Sequence, residues 1–265
     1  MNSKNNSMDI ITEKNEKQYD THAKDWQIAM DSNVGHKYLE KPAMERELPE
    51  DLMGKTVLCI GVGSGDELIE ILKKHPSKIV GIDVSTKLLD IAKTRFPHVE
   101  FQKMEMADLH FPDNNFDFIY SSLTFHYAKD WDLLLSEVGR VLRDDGELLF
   151  STHHPIYWGR QTPTGNKYIN ARGITLTEHT AVLPADIEIT YYNHANEDAI
   201  REAVGYAGFE IIHSFAPSVI DVPLNNMSEN ESVKYQKLKI KNKETPLFLI
   251  VKAVKKRNRD RKVMG

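Results

Sequence analysis

The junction at residues 56–65 constrains the fold of this chain more than any other stretch. Thr56-Val57-Leu58-Cys59-Ile60 is a short apolar run, the pattern of a strand buried on both faces. It passes directly into Gly61-Val62-Gly63-Ser64-Gly65, and residues 66–74 follow with Leu68, Ile69, Ile71 and Leu72 at helical spacing. Strand, glycine turn and helix recur as a theme downstream. Strands are predicted over 78–82, 99–103, 116–122 and 147–152, with helices over 85–95 and 130–142 between them. Such alternation predicts βαβ units and therefore an α/β, doubly wound, Rossmann-like, mostly parallel sheet with helices on both faces. A helix over 197–208 and strands over 209–213 and 246–253 complete seven strands. Residues 153–190 and 215–245 lack a helical period and are expected to be irregular insertions after the fifth and sixth strands, the first with room for a strand pair. Ligands in such sheets bind at the carboxyl ends of the strands, so these insertions sit where a substrate lid would lie.

The rest of the chain is organised around this unit. Residues 1–15 are polar and expected to be frayed; 16–254 are read as one domain, and 255–265 as a basic tail. A hydrophobic share of 40% supports a sizeable core, and the formal net charge of −5 opposes a nucleic-acid partner. There is no apolar run of spanning length and no signal-peptide pattern near the start, so a cytoplasmic protein without a membrane partner is expected. The single cysteine, Cys59, leaves no internal disulfide or Cys-based zinc site.

Glycines at 61, 63 and 65 let the backbone approach a ligand without a Cβ in the way. A dinucleotide loop wants a further glycine at its sixth position. Asp66 stands there instead, setting a negative charge where a pyrophosphate would lie. Asp83 ends the second strand about twenty residues after the loop, from where an acid reaches both hydroxyls of an adenosine ribose. An N-cap role is the alternative for Asp83, in competition with Ser85.

Four ordered segments resemble the motifs of class I S-adenosylmethionine (SAM)-dependent methyltransferases, small-molecule type 11 branch. Residues 57–65 look like the first motif and 81–85 like the second. Residues 111–119 are similar to the approach to the fourth strand, and 142–149 to the turn into the fifth. The resemblance covers residues 16–152 and thins beyond them. It implies a transferase with SAM as cofactor, S-adenosylhomocysteine as product and a small-molecule acceptor. RNA or protein acceptors, or a non-catalytic SAM-binding module, are the alternatives. By the same resemblance Gly61, Val62 and Gly63 line the methionine part, Asp83 holds the ribose, and Val84 packs on the adenine. Glu105 and Met106 read its amino edge, Ser121 lies beside the methionine backbone, and Tyr19 and Trp26 close over the cofactor. Cys59 departs from the pattern, which commonly has an acid there.

Methyl transfer needs alignment and exclusion of water more than a dedicated acid or base. His126, His153, His154 and His194 map to three loops at the binding end of the sheet and are the catalytic candidates, though each also fits a structural role. A metal held by His153, His154 and His194 is disfavoured, because adjacent strand residues point to opposite faces. The aromatics at 125, 127, 157, 158, 191 and 192 suggest a partly apolar acceptor pocket.

Overall fold

The computed structural model describes residues 10–157, 164–169 and 175–257. Helix α1 (Ile10–Asp31), kinked at His22, leads into a π-helical turn at His36–Glu40 and helix α2 (Lys41–Glu47). Strand β1 (Thr56–Ile60), α3 (Leu68–Leu72), β2 (Lys78–Asp83), α4 (Thr86–Arg95), β3 (Glu100–Lys103) and β4 (Phe116–Ser121) follow. After them come α5 (Trp131–Val141), β5 (Leu142–His153), β6 (Thr164–Ile169), β7 (Thr175–Leu183) and β8 (Ile187–His194). Helix α6 (Glu197–Tyr206), β9 (Phe209–Phe215), α7 (Glu229–Glu244) and β10 (Phe248–Lys255) close the chain.

Seven strands form one sheet in the order β3-β2-β1-β4-β5-β10-β9. Only β10 runs antiparallel to its neighbours, β5 and β9. One face of the sheet buries Leu134, Val138, Ile200 and Val204 of α5 and α6 against Leu58, Ile119 and Leu148. The other face takes Met44, Leu68, Ile71 and Leu89 of α2, α3 and α4 against Val57, Cys59 and Phe118. This is the doubly wound architecture expected from the alternating pattern, and the order reverses at β1/β4, where the glycine loop emerges. Among the described residues no helix is long and apolar enough to cross a membrane.

The elements outside the repeating pattern differ from expectation. Helix α1 begins at Ile10, not Glu16, because its first turns are anchored. Asn15 is buried, with Nδ2 donating to the Thr190 carbonyl at 2.7 Å and Oδ1 accepting from the Thr190 N–H at 2.9 Å. Residues 1–9 and 258–265 lie outside the described residues, so the expectations for the extreme start and most of the basic tail are not addressed. The first insertion is more ordered than a strand pair: among its described residues β6, β7 and β8 form an antiparallel three-stranded sheet. Ile187, Ile189 and Tyr191 of β8 pack on Tyr19 and Ala23 of α1. The second insertion holds the 16-residue helix α7, which buries only Tyr235 and Leu238. Its signal is electrostatic: Ser228 caps it by accepting from the Glu231 N–H, acids occupy the first turn and Lys241 and Lys243 the last. The Asp145-Gly146 turn lies within β5, as a register irregularity against β4 between Phe116 and Phe118.

Candidate functional site

Beyond the carboxyl end of the sheet lies a cavity of about 270 Å³, bounded by α1, the glycine loop, the ends of β2 and β4 and the start of β10. Gly61 and Gly63 adopt φ of 68° and 51°, in the left-handed region that favours glycine. At Gly61 a Cβ would stand 2.1 Å from the Thr124 hydroxyl oxygen, so this position cannot take a side chain without displacing the post-β4 loop. At Gly63 a Cβ would meet nothing within 4 Å, leaving that backbone open.

Asp83 is fixed at both oxygens: Oδ2 accepts from the Gly63 N–H at 2.9 Å and Oδ1 from the Ser85 N–H at 2.8 Å. Burial raises its pKa above the usual carboxylate value, against the backbone bonds from Ser85, Gly63 and Val84 that favour the charge. The cap of α4 belongs to Ser85, whose hydroxyl accepts from the Leu88 N–H. Asp83 therefore is not the helix cap; it ties the glycine loop to β2 while lining the cavity. Asp20, which the motifs did not reveal, accepts from the Ser85 hydroxyl at 2.6 Å and the Lys87 N–H at 3.0 Å, fastening α1 to the same edge.

Val62, Val84, Glu105 and Met106 line the cavity with Gly61, Gly63 and Asp83, as do Tyr19 and Trp26. Tyr19 and Trp26 meet edge to face at 5.4 Å. The Tyr19 hydroxyl is 2.6 Å from that of Tyr127, a cavity residue the sequence reading did not assign to the cofactor. Ser121 is not on the wall. It is fully buried and donates to the Ile60 carbonyl at 3.1 Å, bracing β4 against β1, and Ser122 and Thr124 line the cavity instead.

Cys59 is a buried strand residue whose thiol pKa is pushed up by burial and by Glu67 nearby. No carboxylate is missing from this region, however. Glu67 lines the cavity, and His36 stands between it and Glu40, with Nε2 3.6 Å from Glu67 and Nδ1 2.9 Å from Glu40. Glu40 is completely buried and accepts from Ser151 at 2.5 Å and Ser122 at 2.9 Å. Burial alone would raise the Glu40 pKa, but the bond and charge of His36 and the two hydroxyls bring it below the usual value. Burial acts to lower His36, yet Glu40 and Glu67 outweigh it and lift its pKa to about 9. The π-helical turn is what sets His36 and Glu40 on one side of the chain. The neighbouring Asp66 is paired with Arg95 at 2.6 Å.

The four candidate histidines divide in two. His126 and His153 line the cavity and stack with centroids 3.6 Å apart and planes 10° from parallel. Burial holds His126 neutral, with its pKa pushed down to about 3, and its Nδ1 meets no hydrogen-bond partner among the described residues. Burial, with His126 and His179 nearby, puts His153 below its ordinary value too. His154 and His194 are not on the cavity wall. His154 Nε2 pairs with Glu197 at 2.7 Å, joining β5 to α6. His194 packs its ring against Trp131 at 4.4 Å, and neither of its nitrogens has a hydrogen-bond partner among the described residues. Three loops thus deliver histidines to the same end of the sheet, but only those from β4 and β5 face the cavity. Among the described residues no group of three ligating side chains could hold a metal ion.

The cavity's charge content is one-sided. Asp66, Glu67, Asp83 and Glu105 line it, and no Lys or Arg does among the described residues. A pyrophosphate would meet only His36 as a cation, and that ring is already held between Glu40 and Glu67. A cationic sulfonium with an adenosine does fit, since Asp83 is already oriented and the glycine loop offers open backbone.

Comparison with known proteins agrees with this geometry. Residues 58–150 match the model of the family described as methyltransferase domain. An uncharacterised protein of Haemophilus influenzae is 36% identical over 128 residues, 44% of this chain and 49% of that protein. A fatty-acid O-methyltransferase of Mycolicibacterium smegmatis is 32% identical over 110 residues, 40% of each chain. The matched stretch thus spans half or less of these curated relatives. A crystal structure of an S-adenosylmethionine-dependent methyltransferase from Mesorhizobium loti superposes with a TM-score of 0.61 at 25% identity, covering 85% of this chain and all of that one.

Proposed function

We propose that this chain, whose residues 58–150 are a class I SAM-dependent methyltransferase domain of the type 11 branch, transfers the SAM methyl group to a small-molecule acceptor. The observation that carries the reading is Asp83, held at both oxygens beneath a left-handed glycine loop in a cavity rich in carboxylates. In it Asp83 holds the ribose hydroxyls, Val84 covers the adenine, and Glu105 and Met106 read its edge. Gly61, Val62 and Gly63 pass along the methionine part, with Ser122 in the place expected for Ser121. Glu67, which lines the cavity beside Cys59, supplies a carboxylate suited to the methionine ammonium group.

Held by Asp83, Val84 and the glycine loop, SAM would supply an electrophilic methyl on a sulfonium, which an acceptor lone pair would take with S-adenosylhomocysteine as the leaving group and any acceptor proton passing to water. The protein's contribution is geometry and dryness. Tyr19, Trp26 and Tyr127 exclude water over the cofactor side. His126, at a pKa of about 3, is a weak base, and so serves as a neutral hydrogen-bonding group at the acceptor rather than as a proton sink.

Isothermal titration with S-adenosylhomocysteine, beside Asp83→Ala, tests the reading. Micromolar binding is expected, weakened about a hundredfold in the variant, since two charge-assisted hydrogen bonds to ribose are lost. Absence of binding to the native chain, or equal binding to both, would refute it.

A further inference from the structure

We infer that His36 is the cation that selects the cofactor's amino-acid end. Its ring takes the ligand carboxylate while Glu67 takes the ammonium, so the ion pair between them opens to exchange partners with a zwitterion. This rests on the proposed methyl transfer, and adds to it the residue and the charge rule by which that end is recognised.

The amino-acid end of SAM carries a carboxylate and an ammonium, and each needs an opposite charge or hydrogen bonds once it leaves water. The glycine loop has little left to offer a carboxylate. The N–H groups of Gly61 and Val62 donate to the Ile82 carbonyl at 2.8 and 3.0 Å, that of Gly63 to Asp83 at 2.9 Å, and that of Gly65 to the Val62 carbonyl at 2.8 Å. Neither Lys nor Arg lines the cavity among the described residues, and two cations beside it are engaged. Arg95 holds Asp66 and the Ser64 carbonyl at 2.8 Å, and Lys41 reaches the Asp66 carbonyl at 3.4 Å. His36 does line the cavity.

The surroundings of His36 keep it charged and leave one N–H for a ligand. Asn33 Oδ1 accepts from the N–H groups of Gly35 at 3.0 Å and His36 at 3.1 Å, setting the backbone where the π-helical turn begins. Nδ1 faces Glu40 Oε2 at 2.9 Å, while Glu40 Oε1 is held by Ser151 and Ser122. A completely buried carboxylate fixed in this way keeps the imidazolium protonated. Nε2 stands 3.6 Å from Glu67 Oε1, close enough for attraction and too far for a hydrogen bond. Its proton is therefore not committed to Glu67. Burial pushes the Glu67 carboxyl above its usual value and the His36 charge draws it down, so this acid gains from a closer cation.

A zwitterion suits such a pair and a lone ion does not. The carboxylate pairs with Nε2–H and the ammonium with Glu67, which matches both charges and leaves none over. A pyrophosphate brings only negative charge and sets it against Glu67. An amine without a carboxylate satisfies Glu67 but meets the imidazolium, and a carboxylate without an amine does the reverse.

Calorimetry with three ligands reads this directly: S-adenosylhomocysteine, its decarboxylated analogue, which keeps the amine, and its deaminated analogue, which keeps the carboxylate. The native chain is expected to bind S-adenosylhomocysteine about thirtyfold more tightly than either analogue, since each leaves one charged hydrogen bond unmade. His36→Gln should lose that factor for S-adenosylhomocysteine and leave the decarboxylated analogue no more weakly bound than before. A residue that only supported the fold would weaken both alike. Because His36→Gln strips Glu40 of its partner, His36→Gln/Glu40→Gln, which removes both charges, carries the same comparison with less risk to folding. Nitrogen NMR of the histidine rings gives a reading on the native chain. The imidazolium signal that persists at pH 8, below the His36 value of about 9, should shift with S-adenosylhomocysteine and not with the decarboxylated analogue. Equal weakening of the two ligands, native affinities that do not distinguish them, or an imidazolium signal indifferent to the ligand carboxylate would overturn the inference. Failure of all three ligands and of methylthioadenosine to bind would instead overturn the methyltransferase reading on which it rests.

Discussion

The cofactor half of the molecule, β1 to β4 with the glycine loop, and the cap built from α1, β6–β8 and α7 are held together by different physics. In the first half, a buried parallel sheet carries its loops to fixed places. Gly61 and Gly63 are set by positive φ, and one side chain, Asp83, accepts from the main-chain N–H groups of Gly63 and Ser85, no more than twenty residues away. The cap instead is attached by polar contacts far apart in sequence: Asn15 to Thr190, Lys37 and Tyr38 to Glu231, Tyr19 to Tyr127. A scaffold of the first kind preserves one cofactor geometry while its surroundings change. Attachments of the second kind are where acceptor specificity is free to vary.

The largest effect that would sharpen this contrast lies at Glu40, where the two regions meet. Glu40→Ala leaves His36 without its main partner and the hydroxyls of buried Ser151 and half-buried Ser122 without an acceptor. Loss of a buried charge partner costs about 3 kcal/mol of unfolding free energy, measurable by urea denaturation at pH 7. The pH dependence carries a sign. The folded His36 pKa, about 9, lies above its ordinary 6.5, so its stabilisation is complete below pH 6.5 and is lost as pH rises through 9. The native chain should weaken between pH 7 and 9.5, and Glu40→Ala should not show that slope. An unaltered slope would mean that the pair is not what couples cap to scaffold.

His194 tests the cap from the opposite direction. Its ring is buried against Trp131 with no hydrogen-bond partner among the described residues, and its folded pKa is about 3. Here the unfolded state binds the proton more readily, so stability falls as pH drops from 6.5 toward 3, at up to about 1.4 kcal/mol per pH unit. His194→Phe, which keeps the ring contact and removes two unpaired nitrogens, should gain about 1 kcal/mol at pH 7. The gain should widen in acid, as thermal unfolding at pH 7 and pH 5 would record. A variant less stable than the native chain would show that the ring nitrogens are satisfied in solution.

The same contrast explains what could be read from the sequence. The seven strands and Asp83 were legible because strand, turn and helix signals there are local: an apolar run, a glycine, an acid at a fixed offset. Glu40 and His36 were not, since nothing in His36-Lys37-Tyr38-Leu39-Glu40 says that a π-helical turn will carry His36 to Glu67 and Glu40 to Ser122 and Ser151, residues far along the chain. Ser121 was misplaced by one residue, and strand alternation is the reason: Ser121 points into the sheet and Ser122 to the cavity. His154 follows the same rule, turning to Glu197 while His153 faces the cavity. Helix α7 escaped notice because its pattern is charge and capping, without an apolar stripe to mark it.

The smallest expected effect is at Tyr19, and it addresses whether α1 is part of the cofactor wall or only packs beside it. Tyr19→Phe keeps the edge contact to Trp26 and the packing on Ile189 and Tyr191, and removes only the hydroxyl bonded to Tyr127 at 2.6 Å. A single neutral hydrogen bond contributes about 1 kcal/mol, so affinity for S-adenosylhomocysteine should fall about fivefold. Unfolding free energy at pH 7 should change by no more than that amount. A fivefold loss in affinity with the fold intact would place the helix in the binding wall. Unchanged affinity with reduced stability would return Tyr19 to simple packing, and the cap would then contribute to the cofactor only by excluding water.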